Sequence, residues 1–190
     1  MRILFCTLLL VIVAPRGSHA EELIPGVLSF DPPAFLTAGS SVPARTNSVS
    51  GQREVWRYAA TDNDPRASQR LLVISLRETN AASAATNAAP TPDDRTFRAE
   101  MQAAMNATRN VTNVAPVTDA EVAGQPALRV TCQIPRPYWQ EPDGALFSSE
   151  IYWVKIRTNE VVEIKLIADS TDHLQTLEAC LPKFKFNKTD

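Results

Sequence analysis

The side chains that could perform acid–base or nucleophilic chemistry are few in this 190-residue chain, which has two histidines and three cysteines. His173 is close in sequence to Asp169 and Ser170, so a Ser-His-Asp arrangement is conceivable, but neighbours on one helical turn rarely reach triad geometry. A solvated helix start, with Asp172 in its first turn, is the simpler explanation of these residues. Because no cluster of histidine and cysteine exists, the sequence predicts no catalytic residue, no metal and no cofactor.

Paired carboxylates offer a second route to catalysis. Asp62 with Asp64, and Glu141 with Asp143, are close enough in sequence for a general acid and base. Both pairs lie in proline-containing turns, where acidic residues are common for solubility and turn geometry. A small secreted hydrolase that uses carboxylates is therefore an alternative to the function favoured below.

A proline-stiffened loop carries the residue types that protein interfaces prefer. Arg136, Tyr138 and Trp139 lie between prolines in the segment 135–142. Aromatic and arginine side chains on a stiff loop lose little entropy when they dock onto a partner. We predict that these three residues form a binding loop; the alternative is that the aromatics fold back over an edge of the core.

The N-terminus is typical of a secretory signal peptide over residues 1–20. A short positive segment precedes an apolar run too short to span a bilayer, and small residues then precede Glu21. We therefore predict a secreted or periplasmic protein without a membrane span after cleavage. The formal net charge of −2 and the scattered arginines argue against nucleic-acid binding.

With Cys6 removed in the leader, an even pair of cysteines remains, Cys132 and Cys180, and the strand and helix periodicities predict that both face inward. In an oxidising compartment such a pair is expected to form a disulfide. Closing the loop between these two cysteines would contribute about 4 kcal/mol to the free energy of unfolding in the chain-entropy model. The alternative is two separate buried thiols.

Hydrophobic periodicity predicts both strands and helices. Alternating and apolar runs at 54–59, 70–77, 128–134, 147–157 and 160–168 predict strands. We expect the first two to form an antiparallel pair, Gly124–Pro126 to form a turn, and 147–168 to form a long hairpin. Stripes spaced by three and four residues predict a helix after Thr91 and a terminal helix from Ser170 to Lys183. The segment 79–91 has nothing large to bury and is expected to be a flexible loop.

The order of these elements, with 122–127 leading into a strand, the hairpin 151–168 and a terminal helix ending near 184–186, resembles the PsbP-like superfamily. The resemblance implies one α+β domain over residues 21–190. Its architecture would be an antiparallel β-sheet flanked by helices, a PsbP-like α/β/α sandwich with one disulfide. Members of that superfamily mostly act by binding other proteins, and they share no catalytic signature.

These observations favour an exported, non-enzymatic protein-binding or accessory module that acts as a monomer on another protein. Besides the hydrolase, an apolar small-ligand carrier with a cavity between sheet and helix stays open. Three Asn-x-Ser/Thr sequons, at Asn106, Asn110 and Asn187, matter only in a eukaryotic secretory route, and the sequence leaves their glycosylation undetermined.

Overall fold

The computed structural model describes residues 20–39, 53–60, 69–77, 94–135, 146–157 and 160–187. These residues form ten strands and two α-helices. The strands are β1 (Glu21–Ile24), β2 (Leu28–Phe30), β3 (Thr37–Ala38), β4 (Arg53–Ala59), β5 (Gln69–Arg77), β6 (Thr118–Val122), β7 (Gln125–Pro135), β8 (Leu146–Arg157), β9 (Glu160–Ala168) and β10 (Phe184–Phe186). The helices are α1 (Asp94–Ala107) and α2 (Thr171–Glu178), and a 3-10 turn (Leu181–Lys183) follows α2.

Seven strands form one antiparallel sheet in the order β3-β4-β5-β9-β8-β7-β6. Its centre is the β8–β9 hairpin, in which Tyr152 pairs with Ile164 and Val154 with Val162. The predicted antiparallel pair, β4 with β5, and the predicted long hairpin are both confirmed. Strands of nine to twelve residues at the centre give this sheet a continuous apolar surface on both sides.

The β6–β7 hairpin owes its tight turn to two residues with left-handed backbone. Ala123 and Gly124 have φ of 49° and 80°, as two-residue hairpin turns require. The turn sets the pairing of Val122 with Gln125, and this register places Asp119 opposite Leu128. The sequence interpretation put the turn at Gly124–Pro126; Gln125 and Pro126 instead begin β7.

Side chains alternate between the two faces of the large sheet because successive strand residues point to opposite sides. On one face, α1 packs through Phe97 and Met105 onto a cluster that includes Leu128, Ile151 and Trp153. On the other face, a larger cluster contains alternate residues of β5, β8 and β9, together with Leu177 of α2.

The larger cluster is closed by a second, three-stranded sheet in the order β1-β2-β10. The rings of Phe30 and Phe184 stack at 4.3 Å between centroids, and Phe30 meets Tyr58 of the large sheet edge-on at 5.0 Å. The Tyr58 hydroxyl donates a 2.7 Å hydrogen bond to Glu21 of β1. Burial, reinforced by this carboxylate, raises the pKa of Tyr58, so the phenol stays a donor.

The predicted helix-flanked α/β/α sandwich was wrong. Strands dominate the described residues, and the cover on the α2 face is shared between an eight-residue helix and the small sheet. The predicted terminal helix ends early: after Glu178 the chain makes the 3-10 turn, with Pro182 within it, and continues as strand β10. Phe184 then pairs with Phe30, which buries more apolar surface than another turn of exposed helix would.

The predicted disulfide between Cys132 and Cys180 was also wrong, since both are free, buried thiols. Cys132 belongs to the cluster under α1 and Cys180 to the cluster under α2, so the large sheet lies between them. A disulfide requires the two Cβ atoms within about 4.5 Å of each other. Burial raises the pKa of both thiols, that of Cys180 to about 11.

The aromatic stack between the sheets predicts a large difference between two phenylalanines. Phe30 is 0% exposed and Phe35 is 37% exposed. We expect Phe30→Ala to lower the free energy of unfolding by about 3 to 5 kcal/mol, because it removes ring contacts and leaves a cavity. The matched control, Phe35→Ala, should cost about 1 kcal/mol or less. Urea unfolding measures both values; equal losses would contradict this account of the core.

Candidate functional site

The structure brings four polar side chains together on the α2 face of the large sheet. We call them the carboxylate cluster: Arg129 of β7, Glu150 and Tyr152 of β8, and Glu178 of α2. Glu150 is 3% exposed, which is unusual for an acid and requires that its charge be compensated.

Both oxygens of the Glu150 carboxylate are occupied. Arg129 donates through Nη2 to Oε1, and the Tyr152 hydroxyl donates to Oε2 at 2.6 Å. The same Arg129 nitrogen lies 3.3 Å from Oε1 of Glu178, so one guanidinium serves two carboxylates. The guanidinium also lies 5.9 Å from the centroid of the Tyr152 ring, which orients it over the sheet.

Strand register explains why these residues meet. Arg129 pairs directly with Tyr152, and Glu150 is two residues away along the same face of β8. Diagonal neighbours on one face of a sheet are within reach of long side chains. Glu178 enters from the last residue of α2, whose preceding residue, Leu177, is fully buried against the sheet.

The two carboxylates have pKa values displaced in opposite directions. Burial alone would raise the pKa of Glu150, but hydrogen bonds from Glu178, Arg129 and Tyr152 outweigh it and the pKa is lowered. The hydrogen bond with Glu150 and burial raise the pKa of Glu178 to about 6. The pair can thus share one proton near neutral pH, with Glu150 as the ionised partner.

A cleft of about 320 Å³ lies on the opposite face, between α1 and strands β6 to β8. We call it the α1 cleft; its lining is Phe97, Asp119, Pro126, Ala127, Leu128, Trp153 and Lys155. The inner wall is apolar and buried, while Asp119 and Pro126 at its rim are exposed. A concave apolar floor with a few charged groups at its edge is the common form of a binding site.

Charged contacts fix the walls of the α1 cleft. The Lys155 ammonium lies 4.4 Å from the centroid of the Phe97 ring. Arg98 of α1 forms an ion pair with Asp119 of β6, which ties the helix to the edge of the sheet. The Trp153 indole donates a 3.0 Å hydrogen bond to Glu163, so this ring is held in place at the floor.

The structure brings only part of the conceivable Ser-His-Asp arrangement together. Nδ1 of His173 lies 2.6 Å from Oδ1 of Asp169. The Ser170 hydroxyl, however, accepts a 3.3 Å hydrogen bond from the backbone N–H of His173 and caps α2. The hydroxyl is thus engaged as a helix cap, so these residues do not form a triad.

The other predicted site residues lie outside the described residues. This holds for the two acidic pairs and for the predicted binding loop: Asp62, Asp64, Glu141, Asp143, Arg136, Tyr138 and Trp139. The three sequon asparagines, Asn106, Asn110 and Asn187, lie within the described residues and are exposed. Among the residues that the structure describes, no three side chains of histidine, cysteine, aspartate or glutamate converge as a metal site.

Sequence reasoning missed the carboxylate cluster and the α1 cleft. Glu150 lies within the predicted strand 147–157, in the same phase as Tyr152 and Val154, which are core residues. An acid in the buried phase of a central strand was the available signal. Nothing in the sequence indicated that Glu178 would face it.

Comparison with known proteins gives no family. No family model and no curated protein matches the chain. Two similar solved structures are a mutant of protein Mog1, at 13% identity and a TM-score of 0.44, and the Ran-binding protein Mog1p of Saccharomyces cerevisiae, at 14% and 0.47. Both alignments cover 90% of this chain and 96% and 95% of the respective structures.

These findings correct two further predictions. The resemblance to the PsbP-like superfamily was wrong: no family model matches the chain, and the described residues form two sheets in place of the helix-flanked sandwich that the resemblance implied. The prediction of a signal peptide and of a secreted or periplasmic location was wrong as well, since the disulfide expected of these two cysteines in an oxidising compartment does not form. No helix among the described residues is both long and apolar enough to cross a membrane.

The carboxylate cluster predicts that Arg129 is more important for stability than Arg98. Arg129→Leu leaves the buried Glu150 carboxylate without its cation, and we expect a loss of about 2 kcal/mol at pH 7. Arg98→Leu breaks an exposed pair and should cost about 1 kcal/mol or less. Urea unfolding of both variants gives the comparison.

The cost of Arg129→Leu should depend on pH. A carboxylate whose pKa is lowered on folding contributes stability above its ordinary pKa and loses that contribution as pH falls. The difference between Arg129→Leu and the parent should therefore shrink below about pH 4, where Glu150 takes up a proton. A cost that does not change with pH would show that Glu150 does not depend on Arg129.

Proposed function

We propose that this chain is a non-enzymatic protein-binding module that acts as a monomer and docks its partner at the α1 cleft. The observation that carries the proposal is the form of the cleft. Its floor is built from Phe97, Leu128 and Trp153, and its rim bears Asp119 and Lys155. Protein interfaces combine an aromatic-rich apolar centre with a polar rim in this way.

The size of the α1 cleft favours part of a protein over a free small molecule. Its volume of about 320 Å³ is near the lower end of small-molecule sites, and it opens to solvent beside the edge strand β6. Such an opening suits an anchor side chain presented by a partner's surface. The alternative of an apolar small-ligand carrier uses the same cleft and is separated from the proposal by the experiment below.

The predicted binding loop with Arg136, Tyr138 and Trp139 is part of the proposal as a second contact. It connects β7 to β8 beyond the pair Pro135 and Leu146. The α1 cleft is at the other end of the same two strands, near Pro126 and Lys155. Contacts at both ends would require a partner that spans the length of the β7–β8 hairpin.

The catalytic alternative has less support. Glu150 and Glu178 are the described carboxylates that meet with displaced pKa values, but both oxygens of Glu150 are bound by Arg129 and Tyr152. A general base needs a free oxygen within reach of substrate or water. This pair is therefore better suited to holding structure than to hydrolysis.

Site-specific photo-crosslinking tests the proposal. A benzophenone amino acid is placed at Pro126, on the rim of the α1 cleft, or at Tyr138, in the predicted binding loop. After irradiation in an extract of the source organism, we expect the Pro126 probe to capture one discrete protein, because the exposed rim would lie against the partner. Mass spectrometry identifies the adduct, and excess unlabelled protein should abolish it.

The matched control carries the probe at Lys185, an exposed residue of the small sheet. Capture at Lys185 as strong as at Pro126 would contradict docking at the cleft. If the probes capture no protein while native mass spectrometry of the purified chain finds a bound small molecule, the chain is a small-ligand carrier and not a protein-binding module. Capture by the Tyr138 probe alone would show that the partner docks at the predicted binding loop and not at the α1 cleft.

A further inference from the structure

Helix α2 is held on the large sheet by apolar contacts and by the polar contacts of Glu178. Leu177 and Cys180 are 0% and 2% exposed and belong to the cluster beneath the helix. Between them in sequence, Glu178 reaches Arg129 of β7 and Glu150 of β8. The carboxylate cluster is thus the polar bond between α2 and two strands of the sheet.

The charges in the cluster do not balance when both acids are ionised. One guanidinium faces two carboxylates, and Glu150 is buried while Glu178 is about one-third exposed. Two carboxylates in contact repel each other at low dielectric, whereas one shared proton turns the repulsion into a hydrogen bond. The closed position of α2 is therefore most favourable when the pair holds one proton.

We propose that Arg129, Glu150 and Glu178 form a proton-operated clasp, which holds α2 against the large sheet when Glu178 is protonated and loosens when that proton leaves. The clasp lies on the opposite face of the sheet from the α1 cleft, so it is independent of the proposed docking site. It is a conformational device of the fold, and its ligand is the proton.

The direction of the pH effect follows from the two acids. Glu178 has its pKa raised to about 6 when α2 is closed, so its contribution is present at acid pH and is lost as pH rises towards 6 and above. Glu150 has a lowered pKa, so its contribution is lost only when pH falls below the ordinary range of a glutamate. The clasp should therefore be tightest near pH 4.5, loosen progressively as pH rises through 6, and be loose at about pH 7.5.

The charged groups that act on the pKa of Glu178 are Glu150 and Arg129, whereas Lys183, in the 3-10 turn after α2, acts on that of Cys180. Arg129, Glu150 and Tyr152 face Glu178 from β7 and β8, and the residues of β9 and β5 beneath α2 are uncharged: Val162, Ile164, Leu166, Ala168, Gln69, Leu71 and Val73. Glu160 of β9 is six residues from Leu166, the register partner of Glu150, or about 20 Å along the strand. On α2 itself, Asp172 and His173 lie in the first turn, and His173 contacts Asp169.

The two free thiols provide an internal readout. Cys180 is buried under α2 and becomes accessible when the helix lifts, whereas Cys132 is buried on the other face under α1. Both thiols have raised pKa values, so the thiolate fraction of each changes with pH in the same proportion below pH 8. The ratio of their labelling rates therefore reports on α2 alone.

The experiment measures N-ethylmaleimide labelling of Cys180 and Cys132 in the full chain by peptide mass spectrometry at about pH 5 and about pH 7.5. We expect the ratio of Cys180 to Cys132 labelling to rise about threefold or more between these values. In Glu178→Gln, whose amide can donate to Glu150 at any pH, the ratio should stay constant. Glu100→Gln, an exposed acid on α1, is the matched control and should behave as the parent.

Two outcomes overturn the clasp: a constant ratio in the parent, or a ratio that rises equally in Glu178→Gln. If Glu178→Gln does not fold, hydrogen exchange of the parent decides. After correction for the intrinsic rate, the amides of Leu177 and Ala179 should lose protection between about pH 5 and 7.5 relative to Met101 and Met105 of α1. Equal changes in the two helices would refute the proposal.

Discussion

The register of β8 between β7 and β9 is the constraint on which the rest of the structure depends. Along β8, Glu150, Tyr152 and Val154 point to α2 while Ile151 and Trp153 point to α1. A slip by one residue would exchange these two sets, placing Glu150 under α1 and Trp153 among the residues of the larger cluster. Pairing on both sides of the strand, with β7 and β9, keeps this assignment fixed.

The same alternation explains which parts of the fold the sequence could predict. Period-two patterns in β7, β8 and β9 correctly identified the strands, the hairpin and the inward phase of Cys132. These patterns could not show on which face of the sheet each buried residue lies, because a sheet that is covered on both faces has two separate hydrophobic clusters. Cys132 and Cys180 were both correctly placed in a core, yet in different cores, and the disulfide inferred from their number does not form.

The small sheet could not be predicted from local sequence patterns. β1, β2 and β10 have three or four residues each, and β10 is separated from β2 by most of the chain. These strands are too short to show a period-two pattern. What identifies them is the pairing and ring stacking of Phe184 with Phe30, which are far apart in sequence. The residues after Glu178 look like a continuing helix until that partner is known. The candidate sites are hidden for a similar reason, since the α1 cleft and the carboxylate cluster each combine side chains from different elements.

The carboxylate cluster shows how a sheet can accommodate a charge that its core does not need for packing. Apolar residues in place of the whole cluster would fill the same space at no cost in desolvation, and buried ion pairs rarely stabilise a fold more than such residues would. The charged arrangement makes Glu150 depend on its neighbours. Its buried charge is compensated only while Arg129, Tyr152 and Glu178 form hydrogen bonds with it. Because Glu178 belongs to α2 and the other three to the sheet, the position of a short helix becomes linked to the protonation of a single carboxyl group.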